Sequence, residues 1–188
     1  MSRPRCGGCG AAAARRFCWE DRASQIVEFA LSVPLLVLFV VGIFDFSGAL
    51  ALKHKLATAA REAARVAAAD PASDMFATVP VSVSDAEQVV YNYLISENIN
   101  RCGLTPTTST TQAQLTWTYA STGSCPVPGI SIAINRGCST LENGVYLIGT
   151  CVTITYAYKW QYSSVSGLFG SFLGPTTITT AAEAFNEN

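Results

Sequence analysis

Residues 29–44 carry no ionisable side chain, and apolar character continues on both sides, from residue 26 to residue 52. A stretch of that length is long enough, as a helix, to span or nearly span a bilayer. It also accounts for a composition of 49 % apolar and 13 % charged residues, which is too apolar for an ordinary soluble domain of 188 residues. Whatever else folds must do so as an appendage of this run.

Charge is nearly balanced over the whole chain and uneven along it. Arg3, Arg5, Arg15, Arg16 and Arg22 precede the run against Glu20 and Asp21, an excess that predicts a cytoplasmic amino terminus. The run is also followed by Lys53, Lys55, Arg61 and Arg65, so both of its flanks are basic. Beyond Ala69 acids outnumber bases, with only Arg101, Arg136 and Lys159 as cations. Such a segment offers no basic face for nucleic acid. The seven cysteines divide likewise. Cys6, Cys9 and Cys18 lie before the run and would stay reduced in the cytosol. Cys102, Cys125, Cys138 and Cys151 lie after it, an even number suited to two disulfides in an oxidising compartment, with three pairings open.

These features predict an α+β protein in three parts. Residues 1–23 have no periodic apolar face and read as a leader or disordered cytoplasmic segment. Residues 24–69 read as one long helix interrupted only by Pro34; at ~1.5 Å per residue it would extend about 70 Å, twice the ~30 Å of a hydrocarbon core, so only its first half is transmembrane. Pro34 and Gly42 predict a kink in that half, and Asp70-Pro71 ends the helix. Residues 70–188 read as an exported α+β domain. In it, Ser84 with Glu87 forms a capping-box pattern that predicts a helix from Asp85 to about Asn98. Period-two alternation at Ala113, Leu115, Trp117 and Tyr119, at Ile130, Ile132 and Ile134, and at Val152, Ile154, Tyr156 and Tyr158 predicts antiparallel strands. Breaks are expected at Gly123, Gly129, Gly137 and Gly144, a bulge at Gly149, and a last strand between residues 176 and 185.

The segment from Ala23 to Arg65 reads ASQIVEFALSVPLLVLFVVGIFDFSGALALKHKLATAAREAAR. Its V-E-F-A-L run (Val27 to Leu31), the following Pro34, Gly42 and Asp45 at the end of the apolar stretch, and the closing A-A-R-E-A-A-R resemble the amino-terminal module of TadE-like proteins, minor pseudopilins of tight-adherence (type IVc) pili. Outside this module the chain is similar only through a late V-x-I-x-Y strand (Val152, Ile154, Tyr156). The resemblance implies a pilin-like fold, with a long amino-terminal transmembrane helix packed on a carboxyl-terminal antiparallel-sheet domain. It further implies processing by a prepilin peptidase between Ala23 and Ser24, where Ala23 replaces the family's usual Gly, and a role in pilus assembly and surface adhesion. The implied partners are other pilin or pseudopilin subunits, the peptidase, an inner-membrane assembly platform and the lipid bilayer. The implied location is the bacterial inner membrane, amino terminus cytoplasmic and carboxyl-terminal domain extracytoplasmic, with later incorporation into an extracellular pilus. Glu28 lies one helical turn from the amino terminus that cleavage would create at Ser24. A carboxylate within lipid costs about 2–4 kcal/mol, so pairing with the terminus of an adjacent subunit would favour assembly in register, whereas snorkelling to the headgroups is the bland alternative.

Other chemistry finds less support. Cys6 and Cys9 form a C-x-x-C and Cys18 adds a third thiol, but a structural zinc site needs a fourth good ligand, and Glu20 and Asp21 are poor ones. Arg15-Arg16-Phe17 is similar to a twin-arginine signal, yet the apolar run is too long for a removable one. His54, the single histidine, lies between two lysines on a helix surface and has no partner for catalysis. Asp45 marks the membrane boundary or pairs with a cation of a neighbouring subunit. Residues 163–175 place Leu168, Phe169, Phe172 and Leu173 among Gly and Ser, as a contact loop or as a cover for a sheet edge. Small residues at Gly42, Gly48, Ala49, Ala59, Ala60, Ala63 and Ala64 suit close approach of neighbouring helices. The expectation is therefore a non-enzymatic pseudopilin without cofactor or metal. The alternative is a membrane-anchored extracytoplasmic binding protein or tip adhesin.

Overall fold

The computed structural model describes residues 11–71, 73, 75, 77–106, 110–121, 123, 125, 129–142, 144–162 and 176–186. Helix α1 (Ala11–Ala69) is followed by helix α2 (Val81–Ser96) and by five strands, β1 (Thr110–Ala113), β2 (Thr116–Ala120), β3 (Ile130–Glu142), β4 (Val145–Tyr158) and β5 (Thr176–Phe185). The chain divides into two compact units, residues 1–44 and 45–188.

In the first unit α1 continues through Pro34 and Gly42 as a single α-helix. It also begins earlier than expected, at Ala11, so residues 11–23 are helical where an irregular segment was anticipated. The first ten residues of that anticipated segment lie outside the described ones. From Ser24 to Phe44 the side chains are exposed almost throughout, including Ile26, Phe29, Leu31, Leu36 and Phe39.

In the second unit the strands form one antiparallel meander in the order β1-β2-β3-β4-β5, with two-residue connections from β1 to β2 and from β3 to β4. One face of the sheet carries Trp117, Tyr119, Ile130, Ile132, Ile134, Val152, Ile154 and Tyr156, and these pack with residues of α1 and α2 into the core. The contribution of α1 is Leu56, Ala59, Ala60, Ala63, Ala64 and Ala67, each fully buried. Their three-and-four spacing forms a stripe along the helix, and the methyl side chains let the helix lie close to its neighbours. Ala59, Ala60, Ala63 and Ala64 are therefore unavailable to other subunits, contrary to the expectation from their size. Gly48 is also occupied within the chain, since a Cβ there would come within 3.1 Å of the Tyr158 hydroxyl. Gly42 has open space around it among the described residues.

Three local readings are corrected. Helix α2 begins at Val81 rather than Asp85, because Pro80, with φ −62°, fixes the entry and its carbonyl accepts the amides of Val83 and Ser84. Ser84 and Glu87 thus lie inside the helix and form no capping box. The alternating stretch around Ala113 to Tyr119 is two strands, since Gln114 takes φ 55° and turns the chain between β1 and β2. The register shift lies on β3 between Asn135 and Cys138, so Gly137 sits in a bulge instead of a break, and Gly149 is a paired residue of β4 opposite Cys138 and Phe185. Gly144, with φ 82°, occupies the turn from β3 to β4 as expected.

Candidate functional site

Residues 24–44 present a helix surface with one ionisable group, Glu28, exposed four residues after Ser24. That spacing places the two on one side of the helix, one turn apart. Ala23 is helical. Ser32 donates its hydroxyl to the Phe29 carbonyl at 3.1 Å, which hides a polar group within the helix and keeps the surface apolar. Among the described residues, Ser24–Ala69 is long and apolar enough to cross a membrane.

Asp45 ends this surface, and its partners are internal. It is only 5 % exposed. One carboxylate oxygen accepts the Gln161 amide at 3.0 Å and the other the Tyr162 amide at 3.2 Å, and the Tyr158 hydroxyl donates to the Asp45 carbonyl at 3.5 Å. A carboxylate that receives two backbone amides is strongly held, so Asp45 ties α1 to the chain leaving β4. It is not offered to a cation of a neighbouring subunit. Burial, and secondarily the Asp45 charge, push the Tyr158 hydroxyl pKa up. Tyr158 stacks edge-on against Trp160 at 5.3 Å, and the Trp160 ring donates to the Thr176 hydroxyl at 3.1 Å.

The four cysteines beyond the helix form two disulfides, Cys102–Cys125 and Cys138–Cys151. The second bridges β3 and β4 beside the bulge, and the first closes the segment that carries β1 and β2. Cys6 and Cys9 lie outside the described residues, as do the apolar residues of the loop 163–175. His54 is exposed, as its sequence context predicts. Lys55 pairs with Glu97 at 2.9 Å across the two helices, an exposed contact worth little on its own.

Two polar features escaped the sequence reading. Glu87, 2 % exposed, lies in the interior with no partner for Oε1 among the described residues, and desolvation pushes its pKa up to about 7. Burial, with the Glu87 charge second, pushes Tyr119 up to about 12. At the other end of the sheet from Asp45, Arg136 is buried and donates to the Asp70 carbonyl at 2.9 Å. It borders a cleft of about 560 Å³ together with Leu115, Tyr146, Ile148 and Phe185. The buried positions of α2 recur every three or four residues, which is the signal that marks Glu87 as inward-facing.

A disulfide-stapled α+β unit whose first helix continues into an exposed apolar segment is the plan of a sheet domain with a candidate amino-terminal membrane anchor. The family model for TadE-like proteins matches residues 23–65, the span that carries the resemblance. No curated protein and no solved structure matches the chain.

Proposed function

We propose that this protein is a structural, non-enzymatic pseudopilin of a tight-adherence pilus or a related secretion system. It is held in the inner membrane by residues 24–44 with the second unit outside, processed between Ala23 and Ser24, and assembled by packing of the exposed apolar helix against other subunits. The adhesion expected of such a pilus follows from that assembly. The observation that carries this reading is a large apolar surface, Ile26 to Phe44, interrupted only by Glu28 and located inside the family-matched span. An apolar face of that extent is stable only in lipid or against other apolar helices. After cleavage, the Ser24 ammonium and the Glu28 carboxylate would be complementary charges one turn apart, able to pair between adjacent subunits and to remove the penalty of an isolated carboxylate in lipid.

Replacing Glu28 with Leu should leave membrane insertion intact and abolish incorporation into pili, read by membrane fractionation alongside sheared-pilus immunoblots. Normal piliation by that variant would remove the pairing. Mass spectrometry of the mature chain should find Ser24 at the amino terminus and both disulfides formed.

The alternative of an anchored binding protein or tip adhesin draws on the Arg136 cleft. In that case the amino terminus would remain unprocessed and the protein monomeric, outcomes that the same mass measurement and a crosslinking assay distinguish.

A further inference from the structure

Asp45 is the first residue after the uncharged run, so a bilayer that holds that run has its headgroup layer at the level of Asp45. The carboxylate of this residue fixes the amides of Gln161 and Tyr162 at that level. Two side chains there are of the kind enriched at membrane–water boundaries, Trp160, half-buried, and Tyr162, 44 % exposed, and Lys159 beside them is exposed. Phe46, next to Asp45 on the helix, is 60 % exposed. Trp160 has its ring N–H satisfied by Thr176 and one ring edge against Tyr158, which holds the indole in a fixed place.

We propose that Lys159, Trp160 and Tyr162, with Phe46, form a second membrane contact that seats the head on the headgroup layer of the bilayer holding its anchor. The proposal rests on the anchoring reading above. The aromatic rings would lie at the glycerol level with the Lys159 ammonium toward anionic phosphates. One observation favours lipid over a protein occupant. Phe46 follows the end of the uncharged run by two residues on the same helix, and Asp45 between them holds the amides of Gln161 and Tyr162. The exposed apolar residues Tyr146 and Ile148 lie at the opposite end of β4, away from Asp45, and lack this continuity.

The chain has three tryptophans, Trp19, Trp117 and Trp160, and Trp117 is buried in the core. The full chain carrying Trp19→Phe is reconstituted in vesicles of phosphatidylcholine and phosphatidylglycerol whose acyl chains are brominated near the headgroup. Comparison with Trp19→Phe/Trp160→Phe isolates the Trp160 emission, which should fall about twofold, as for an interfacial indole. A Phe39→Trp probe, in the background lacking Trp19 and Trp160, reports the anchor independently. Quenching of Phe39→Trp without quenching of Trp160 overturns this proposal and leaves anchoring intact; escape of both overturns anchoring and this contact with it. Tyr162→Glu, which inserts a charge into the layer without removing the backbone amide, should restore most of the Trp160 emission, and unchanged quenching in that variant also overturns the contact.

Discussion

The two parts of α1 invert the usual relation between side-chain size and burial. Before Asp45 the helix carries Phe, Leu, Ile and Val and exposes them; after Asp45 the positions it buries completely are Leu56 and a run of alanines. The lesson is that apolar character alone does not say where a residue packs. Large side chains cover the part of the helix that has no neighbours within the chain, whereas methyl groups permit the close approach required inside a compact head.

If this contrast is right, equal truncations should have unequal consequences. Ile132→Ala, in the fully buried face of the sheet, should lower the stability of the head by about 2–5 kcal/mol, and Leu36→Ala should leave it unchanged; denaturant titrations followed by circular dichroism in the same detergent check both. Equal losses would break the division between the halves.

A second test sharpens it through Glu87, the polar exception within the buried part. Its folded pKa of about 7 stands above the 4.5 of a free glutamate, so between these pH values the folded head retains a proton that the unfolded chain has released. Stability from this group is therefore full below about pH 4.5 and is lost as pH rises through about 7, a difference on the order of 3 kcal/mol. Glu87→Gln should flatten that part of the stability–pH curve, and an unchanged slope would dissociate it from Glu87.

The smallest expected effect concerns the junction. Asp45→Asn keeps one acceptor oxygen for the two amides of Gln161 and Tyr162, and should destabilise the head by about 1–2 kcal/mol. Hydrogen exchange at those two amides is the direct measurement, with faster exchange expected.

The long helix, the three main alternating strands and the last strand were legible because each follows from periodicity that neighbouring residues share. Glu28 was singled out from the V-E-F context of the resemblance, and the structure adds that it is exposed on α1. What the sequence withheld depends on distant partners. Nothing near Asp45 indicates that it will receive amides more than a hundred positions away, as the separations of 116 and 117 show. Four cysteines permit three pairings, and only the strand register brings Cys138 beside Cys151. Glu87 was misread because a four-residue pattern was weighed ahead of Pro80, which sets where the helix starts. Gln114 lacks the usual turn chemistry of Gly or Asn, so the hairpin it makes has no signature.

The alanine stripe also decides where this protein can be divided. A soluble fragment beginning at Asp70 would omit Leu56, Ala59, Ala60, Ala63, Ala64 and Ala67 and leave their sheet partners uncovered, inviting aggregation. One beginning at Asp45 keeps the whole interior together with the carboxylate that secures Gln161 and Tyr162.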